Sequence, residues 1–368
     1  MGVCRACGRE SVTISSKIGF CVRCIREKWP EIGREIEKIH RLTRKDFGLP
    51  EVPPKAPDGL PCNLCHHKCR ILEGEYGYCG VWQNRQGRLI GPGRDGAYVS
   101  WYLDPLPTNC VADFVCPGGT GAGYPHFAYL PGPERGYANL AVFYEACNFN
   151  CLYCQNWHFR NRRLGGPLIS SANMFADLKE HVSCVCFFGG DPGPQALHAI
   201  FWADKARELR KEKIFRVCWE TNGAENFRVI KEMMRLSLGS GGCIKIDLKA
   251  ASVTVHQALC GVSNKQTWEN FALLAEMAEG RPELPALVAS TLLVPGYVDE
   301  EELEKIASFI SSLSKDIPWS LLAYYPTFYL DDLPTTSRRH VEMALAIAKK
   351  YGLKKVNIGN RHLISEAY

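Results

Sequence analysis

From residue 140 onward the chain repeats one unit, a short apolar β-rich run followed by a stretch with helical periodicity. The runs cover residues 140–144, 182–188, 215–219, 244–248, 287–294 and 319–325. Each has strand length and is enriched in branched or aromatic residues. Between them, residues 195–211 place Leu197, Ile200, Phe201 and Leu209 on one helical face, and residues 300–313 follow Asp299, a good N-cap. Strands alternating with helices need right-handed crossovers, so six such units predict an α/β fold with a parallel sheet curled into a partial (β/α)6, TIM-like barrel. A last strand is expected at residues 355–358. In such a barrel the C-terminal strand ends share one face, where chemistry is carried out. Here those ends run into Cys147, Cys151 and Cys154, then Gly189-Gly190-Asp191, Glu220-Thr221-Asn222-Gly223, Asp247 with Lys249, Pro295-Gly296, and Tyr324-Tyr325.

Of 368 residues 46% are apolar, enough for a large core, and 18 are cysteine. A net charge of +5 gives no argument for a polyanion surface. No apolar run reaches membrane-span length, and residues 1–10 carry charges and two cysteines where a signal peptide would be apolar. The expectation is a cytoplasmic protein without membrane attachment. In that compartment clustered thiols point to metal rather than disulfides.

The thiols sort by position. Cys4, Cys7, Cys21 and Cys24 are two CxxC pairs separated by thirteen residues, a zinc-ribbon-like pattern. A helix over 29–44, with Ile32, Ile36 and Ile39 on one face, and a Pro-rich linker over 50–61 follow. Cys62, Cys65, Cys69 and Cys79, with His66 and His67 among them, form a second metal-binding set. Thiolate suits zinc and iron-sulfur clusters alike, so spacing leaves both open. Cys110 and Cys116 have no assigned role. Cys184, Cys186, Cys218, Cys243 and Cys260 read as small core residues. The division is 1–49, ribbon plus helix; 50–135, cysteine-rich second metal-binding and wrapping region; 136–368, the barrel. Within 81–133 the run CPGGTGAGYPH would cover the barrel mouth, dock a partner, or simply wrap the structure.

Cys147, Cys151 and Cys154 form CxxxCxxC. Three thiolates hold three irons of a [4Fe-4S] cube and leave the fourth open to chelate a substrate, most naturally the amino and carboxylate groups of S-adenosylmethionine. A structural zinc, or a cluster completed by a distant cysteine, is the alternative.

With CNFNCLYCQNW, FFGGDPG, WETNG, KIDLKA, HQALCGVSN and LLVPGY in that order, the chain from about residue 139 resembles the radical S-adenosylmethionine superfamily, and within it the pyruvate formate-lyase activating enzymes. The segment CNLCHHKCRILEGEYGYCGVW resembles the start of a Memo-associated branch of radical enzymes. The resemblance implies that the three cysteines hold the catalytic cluster, that Tyr153 packs near the adenine, and that Gly189, Gly190 and Asp191 receive the methionine amino group. It places Glu220, Asn222, Asp247 and Lys249 beside the cofactor. It also shows departures: Glu220 replaces Asp, Ser290 replaces Arg and Tyr325 replaces His. It further implies reduction by a flavodoxin or ferredoxin, cleavage of the S–C5′ bond, and hydrogen abstraction by a 5′-deoxyadenosyl radical from a substrate such as a glycine in a partner protein. No side chain is assigned as acid or base. A radical enzyme acting on a small molecule or another macromolecule shares these motifs. A non-enzymatic zinc or iron-sulfur protein contacting nucleic acid through Arg5, Arg9, Lys17, Arg23 and Arg26 is the other alternative, although a solvated charged face explains those residues equally well.

Overall fold

In the computed structural model, which describes residues 1–368, one sheet contains β1 (Val99–Pro105), β2 (Ala138–Tyr144), β3 (Val182–Gly189), β4 (Arg216–Thr221), β5 (Ile244–Asp247), β6 (Leu287–Leu293), β7 (Trp319–Ala323) and β8 (Val356–Gly359). From β2 to β8 the strands lie in chain order and run parallel. β2, β3 and β6 are buried on both sides, which is why they read as nearly continuous apolar runs, and the rim strand β8 is only half-buried. The barrel is thus partial, as expected. It has two additions to the six units: the parallel strand β8, and β1, a strand from the cysteine-rich region that pairs antiparallel with β2. β1 and β8 are not paired with each other, so the sheet stays open between them. No helix is long and apolar enough to cross a membrane.

Besides two short helices at Pro117–Thr120 and Ser171–Ala176, the helices are α1 (Val22–Glu27), α2 (Trp29–Lys45), α3 (Ala196–Leu209), α4 (Phe227–Leu238), α5 (Val253–Cys260), α6 (Lys265–Ala278), α7 (Glu300–Leu313) and α8 (Arg338–Lys350). Asp299 caps α7 by accepting from the Glu302 N–H at 3.2 Å. The expected face of α3 is corrected. Leu197 and Leu209 are exposed, and Ala196, Ala199, Trp202, Ala203 and Ala206 form the buried stripe. Small alanines let the helix approach the sheet closely, and the Trp202 indole fills the remaining space between Phe175 and Phe187.

Residues 1–49 pack into the same apolar core as the barrel, through Ile18, Phe20, Ile25, Ile32 and Ile36. Polar pins reinforce the seam. The Arg26 guanidinium donates to Asp299 at 2.9 and 2.6 Å, and the Tyr297 hydroxyl donates to the Phe20 carbonyl at 3.1 Å.

Residues 106–134 close the barrel at the N-terminal strand ends, opposite the mouth. The Arg216 guanidinium, at the start of β4, donates to the Phe127 carbonyl and to Glu134; the Tyr129 hydroxyl donates to the Ile214 carbonyl; Ala112 packs with Cys243 and Val288. The segment is a floor and not a cover over the mouth, a correction to one of the readings of this stretch. An open-sided barrel exposes its lumen from below unless another segment fills it.

Candidate active site

One cavity of about 700 Å³ opens at the C-terminal strand ends. Its wall takes Cys147, Cys151, Tyr153 and Cys154 from the loop after β2, Gly189, Gly190 and Asp191 from the end of β3, Glu220 and Asn222 from β4, Asp247 and Lys249 from β5, and Ser290 from β6. Close packing between loops sets this arrangement. A Cβ on Gly190 would lie 2.2 Å from the Ala146 carbonyl oxygen, and one on Gly189, at φ +112°, would lie 2.6 Å from the Tyr144 nitrogen. Only glycine lets the β3 loop lie against the cysteine loop.

Asp191 acts within the protein. Its carboxylate accepts from the Gly193 and Asn222 backbone N–H groups, both at 2.8 Å, and from the Thr221 hydroxyl at 3.0 Å. Asn222 then donates through Nδ2 to Asn148 Oδ1 at 2.6 Å and reaches the Cys147 sulfur at 3.8 Å. The β3, β4 and cysteine loops are therefore one hydrogen-bonded unit. Thr221 also donates to Glu225, so two buried carboxyls share a hydroxyl. Burial pushes Asp191 up to about 6, and burial together with the Asp191 charge pushes Glu225 up further. Both native values lie above the unfolded ones, so the native state binds protons more tightly. The pair's contribution to stability therefore grows as pH falls from above 6 toward 4. Glu225→Gln should flatten that trend, as seen in urea midpoints measured at pH 5 and pH 7.

Farther along the sheet, strand register builds a polar row. Glu220 lies opposite Lys245, and Asp247, Ser290, Ser320 and Asn357 follow in register across β5, β6, β7 and β8. All line the cavity. Lys249 donates to Asp247 at 2.6 Å; burial disfavours its charge, and the Asp247 carboxylate outweighs that and raises its pKa. Lys245 is buried, with Glu220 at 3.2 Å and the Cys186 and Cys110 sulfurs at 3.0 and 3.3 Å. The Ser290 and Ser320 hydroxyls are buried and have no partner. Unpaired polar atoms of that kind are costly to bury, and both belong to residues that line the cavity.

The sequence-derived residues thus meet in one place, with one exception. Tyr325 does not line the cavity and is 52% exposed. β7 ends at Ala323, and Tyr324 turns inward, its backbone N–H donating to the Thr336 hydroxyl, which leaves Tyr325 on the surface. The reading of Cys186 as an inert core thiol also changes, since it accepts from Lys245. Lys245 was missed, although Lys245, Asp247 and Lys249 alternate with the strand period and so share a face. Ser320 and Asn357 were missed because register across distant strands is not written in the chain, and Cys110, which had no assigned role, joins the wall from the floor segment.

The three cysteines of the cavity fit an iron-sulfur cube. No three ligand atoms there lie within 4.8 Å of one another, as a single bound ion would require. Cys110, the other thiol on the wall, donates to Glu220 at 3.4 Å and accepts from Lys245. Arg160 is buried, with no carboxylate partner and Nε unpaired, and its charge bears on Cys151 and Cys154. A buried cation in that setting calls for an anionic centre.

The two N-terminal thiol sets differ. Cys4, Cys7, Cys21 and Cys24 place all four sulfurs within 4.8 Å of one another, with Cys7 and Cys21 at 3.8 Å. That is the spacing of four sulfurs around one tetrahedral zinc, about 3.8 Å. Cys62, Cys65, Cys69 and Cys79 do not close in this way.

Residues 141–310 match the family described as the radical SAM superfamily. The chain is 25% identical over 307 residues to "Uncharacterized protein MJ0808" of Methanocaldococcus jannaschii, covering 81% of this chain and 80% of that protein. It is 24% identical over 231 residues to pyruvate formate-lyase 1-activating enzyme of Escherichia coli K12, covering 58% and 89%. It is 31% identical over 138 residues to isethionate sulfite-lyase activating enzyme of Desulfovibrio desulfuricans, covering 37% and 40%.

Proposed function

Residues 141–310 belong to the radical SAM superfamily, and from that premise we propose that the protein cleaves S-adenosylmethionine reductively and abstracts hydrogen from a glycine of a partner protein. The observation that carries the reading is the convergence of Cys147, Cys151 and Cys154 with the Gly189-Gly190-Asp191, Asn222, Asp247 and Lys249 positions on one cavity. The relatives named as activating enzymes support the protein substrate.

Cys147, Cys151 and Cys154 would hold the [4Fe-4S] cluster, which when bound would supply the electron for cleaving the S–C5′ bond. Around it the protein positions and shields. Asn222 and Asp191 fix the cysteine loop against the β3 and β4 loops. Tyr153, whose ring is buried and whose hydroxyl lies 3.5 Å from the Cys260 sulfur, offers an apolar wall for the adenine. Lys249 would offer a cation to the cofactor carboxylate, and the unpaired Ser290 hydroxyl on the same wall would offer it a donor and acceptor. Flavodoxin or ferredoxin is the reductant. Cys4, Cys7, Cys21 and Cys24 hold one structural zinc.

The test uses full-length protein reconstituted without oxygen and supplied with S-adenosylmethionine, dithionite and a protein extract labelled with 2-deuterated glycine. The expected products are methionine and 5′-deoxyadenosine carrying deuterium. Unlabelled 5′-deoxyadenosine would reject the glycine target and retain the cleavage; no 5′-deoxyadenosine from protein with a verified cube would reject both. Ser290→Ala should raise the dissociation constant for S-adenosylmethionine by roughly tenfold, the worth of one hydrogen bond to a charged group. Its melting temperature should not fall, because the change removes an unpaired buried hydroxyl. Equilibrium dialysis and calorimetry check the two halves.

A further inference from the structure

We propose that Cys62, Cys65, Cys69 and Cys79 hold a second iron-sulfur cluster, of the four-iron class, packed against the loop of the first. Three observations carry this. The thiols are gathered: Cys69 lies in a small apolar cluster against which Cys62 and Cys79 pack, and Cys65 sits in the turn between Cys62 and Cys69. A short hairpin holds them, with the Cys62 N–H donating to the Cys69 carbonyl at 2.8 Å, and the apolar residues Ile71, Tyr78, Val81 and Trp82 pack beside it.

The spacing is wrong for zinc. Around a single tetrahedral ion four cysteine sulfurs sit about 3.8 Å apart, and the ribbon set meets that condition within this same chain. Among Cys62, Cys65, Cys69, Cys79 and the neighbouring imidazoles of His66 and His67, no three ligand atoms lie within 4.8 Å of one another. On a four-iron cube the cysteine sulfurs stand roughly 6 Å apart. The set thus shares the behaviour of Cys147, Cys151 and Cys154 and departs from that of the ribbon.

Charge is the third observation. Arg44 is 1% exposed and has no carboxylate partner; its guanidinium donates only to the Pro50 and Tyr78 carbonyls and lies over the Tyr78 ring. It sits between the two sets: its partner Tyr78 immediately precedes Cys79, and Asn150, from the loop of the first cluster, donates to the hydroxyl of the adjacent Thr43 at 2.8 Å. Burying a guanidinium without an anion is expensive, and two anionic clusters flanking it would remove that cost. The contact between the sets is direct: the His67 ring donates to the Asn148 carbonyl at 2.7 Å, beside Cys147, and the His66 N–H donates to the Ala224 carbonyl at 2.9 Å.

The experiment counts iron, acid-labile sulfide and zinc in full-length protein purified and reconstituted anaerobically, as wild type and as Cys147→Ala/Cys151→Ala/Cys154→Ala. Wild type should hold about eight irons, eight sulfides and one zinc, and the triple variant about four, four and one. After dithionite the triple variant should still show the paramagnetic signal of a reduced cluster, unchanged by S-adenosylmethionine. About four irons with two zincs in the wild type, or no iron in a folded triple variant, would overturn the assignment. Should the triple variant precipitate, Cys62→Ala/Cys65→Ala/Cys69→Ala decides: a fall from about eight irons to four supports the site and an unchanged iron content refutes it. Cofactor cleavage is not read in these measurements, so this site and the catalytic reading fail separately.

Discussion

Cys151→Ala should abolish 5′-deoxyadenosine formation under dithionite, a loss of at least about 10³-fold, or roughly 4 kcal/mol in the barrier. The reason lies in the division of labour at the site. No side chain on the cavity wall is placed as an acid or base for the cleavage, so nothing in the protein can compensate once an iron loses its thiolate. Cys151 is buried, and its thiol is raised, first by the hydrogen bond with Cys260 and then by burial. Iron content and the product assay should fall together; turnover retained with the cube verified absent would reject the assignment. A Cys260→Ala control should keep the iron, because Cys260 does not line the cavity.

The second large effect is on stability. Glu134→Ala should cost about 3–5 kcal/mol, the usual penalty for breaking a buried ion pair and leaving one charge behind. Glu134 is fully buried and accepts from Arg216 at 2.8 and 2.6 Å, from the Ser183 hydroxyl at 2.8 Å and from the Tyr129 N–H at 2.8 Å. It ties the floor segment to β3 and β4. Glu134→Ala/Arg216→Met should recover part of the loss, since it removes the stranded cation as well; denaturant midpoints decide. Burial would raise the Glu134 carboxyl, but Arg216 outweighs it and holds the group below the ordinary glutamate value of 4.5. Its contribution is therefore complete above pH 4.5 and disappears as pH falls through the lower native value.

Much of this molecule could be read from the chain. Strands buried on both faces announce themselves as apolar runs, so β2 to β7 fall where the sequence puts them. Motifs at strand ends converge because parallel strands bring their C-terminal ends to one face. What escaped reading is tertiary. Leu197 and Leu209 looked like a core face, but a close helix-sheet contact selected alanines and left the leucines outside. The floor segment has no periodicity, since its shape follows the lumen it fills. The polar row through Ser290, Ser320 and Asn357 depends on register between strands separated by long crossovers. Tyr325 lay on the wrong side because a strand end fixes where the chain leaves the sheet without fixing which way the next residue turns.

The gap between β1 and β8 bears on what the cavity can accept. Asn357, Gly359, Asn360 and His362, from the rim strand and the residues after it, belong to the cavity wall. A closed cylinder can be loaded only through its ends, whereas a chamber that reaches a free margin is also approachable broadside. The width of what enters is then set by that margin as well as by the ring of strand ends.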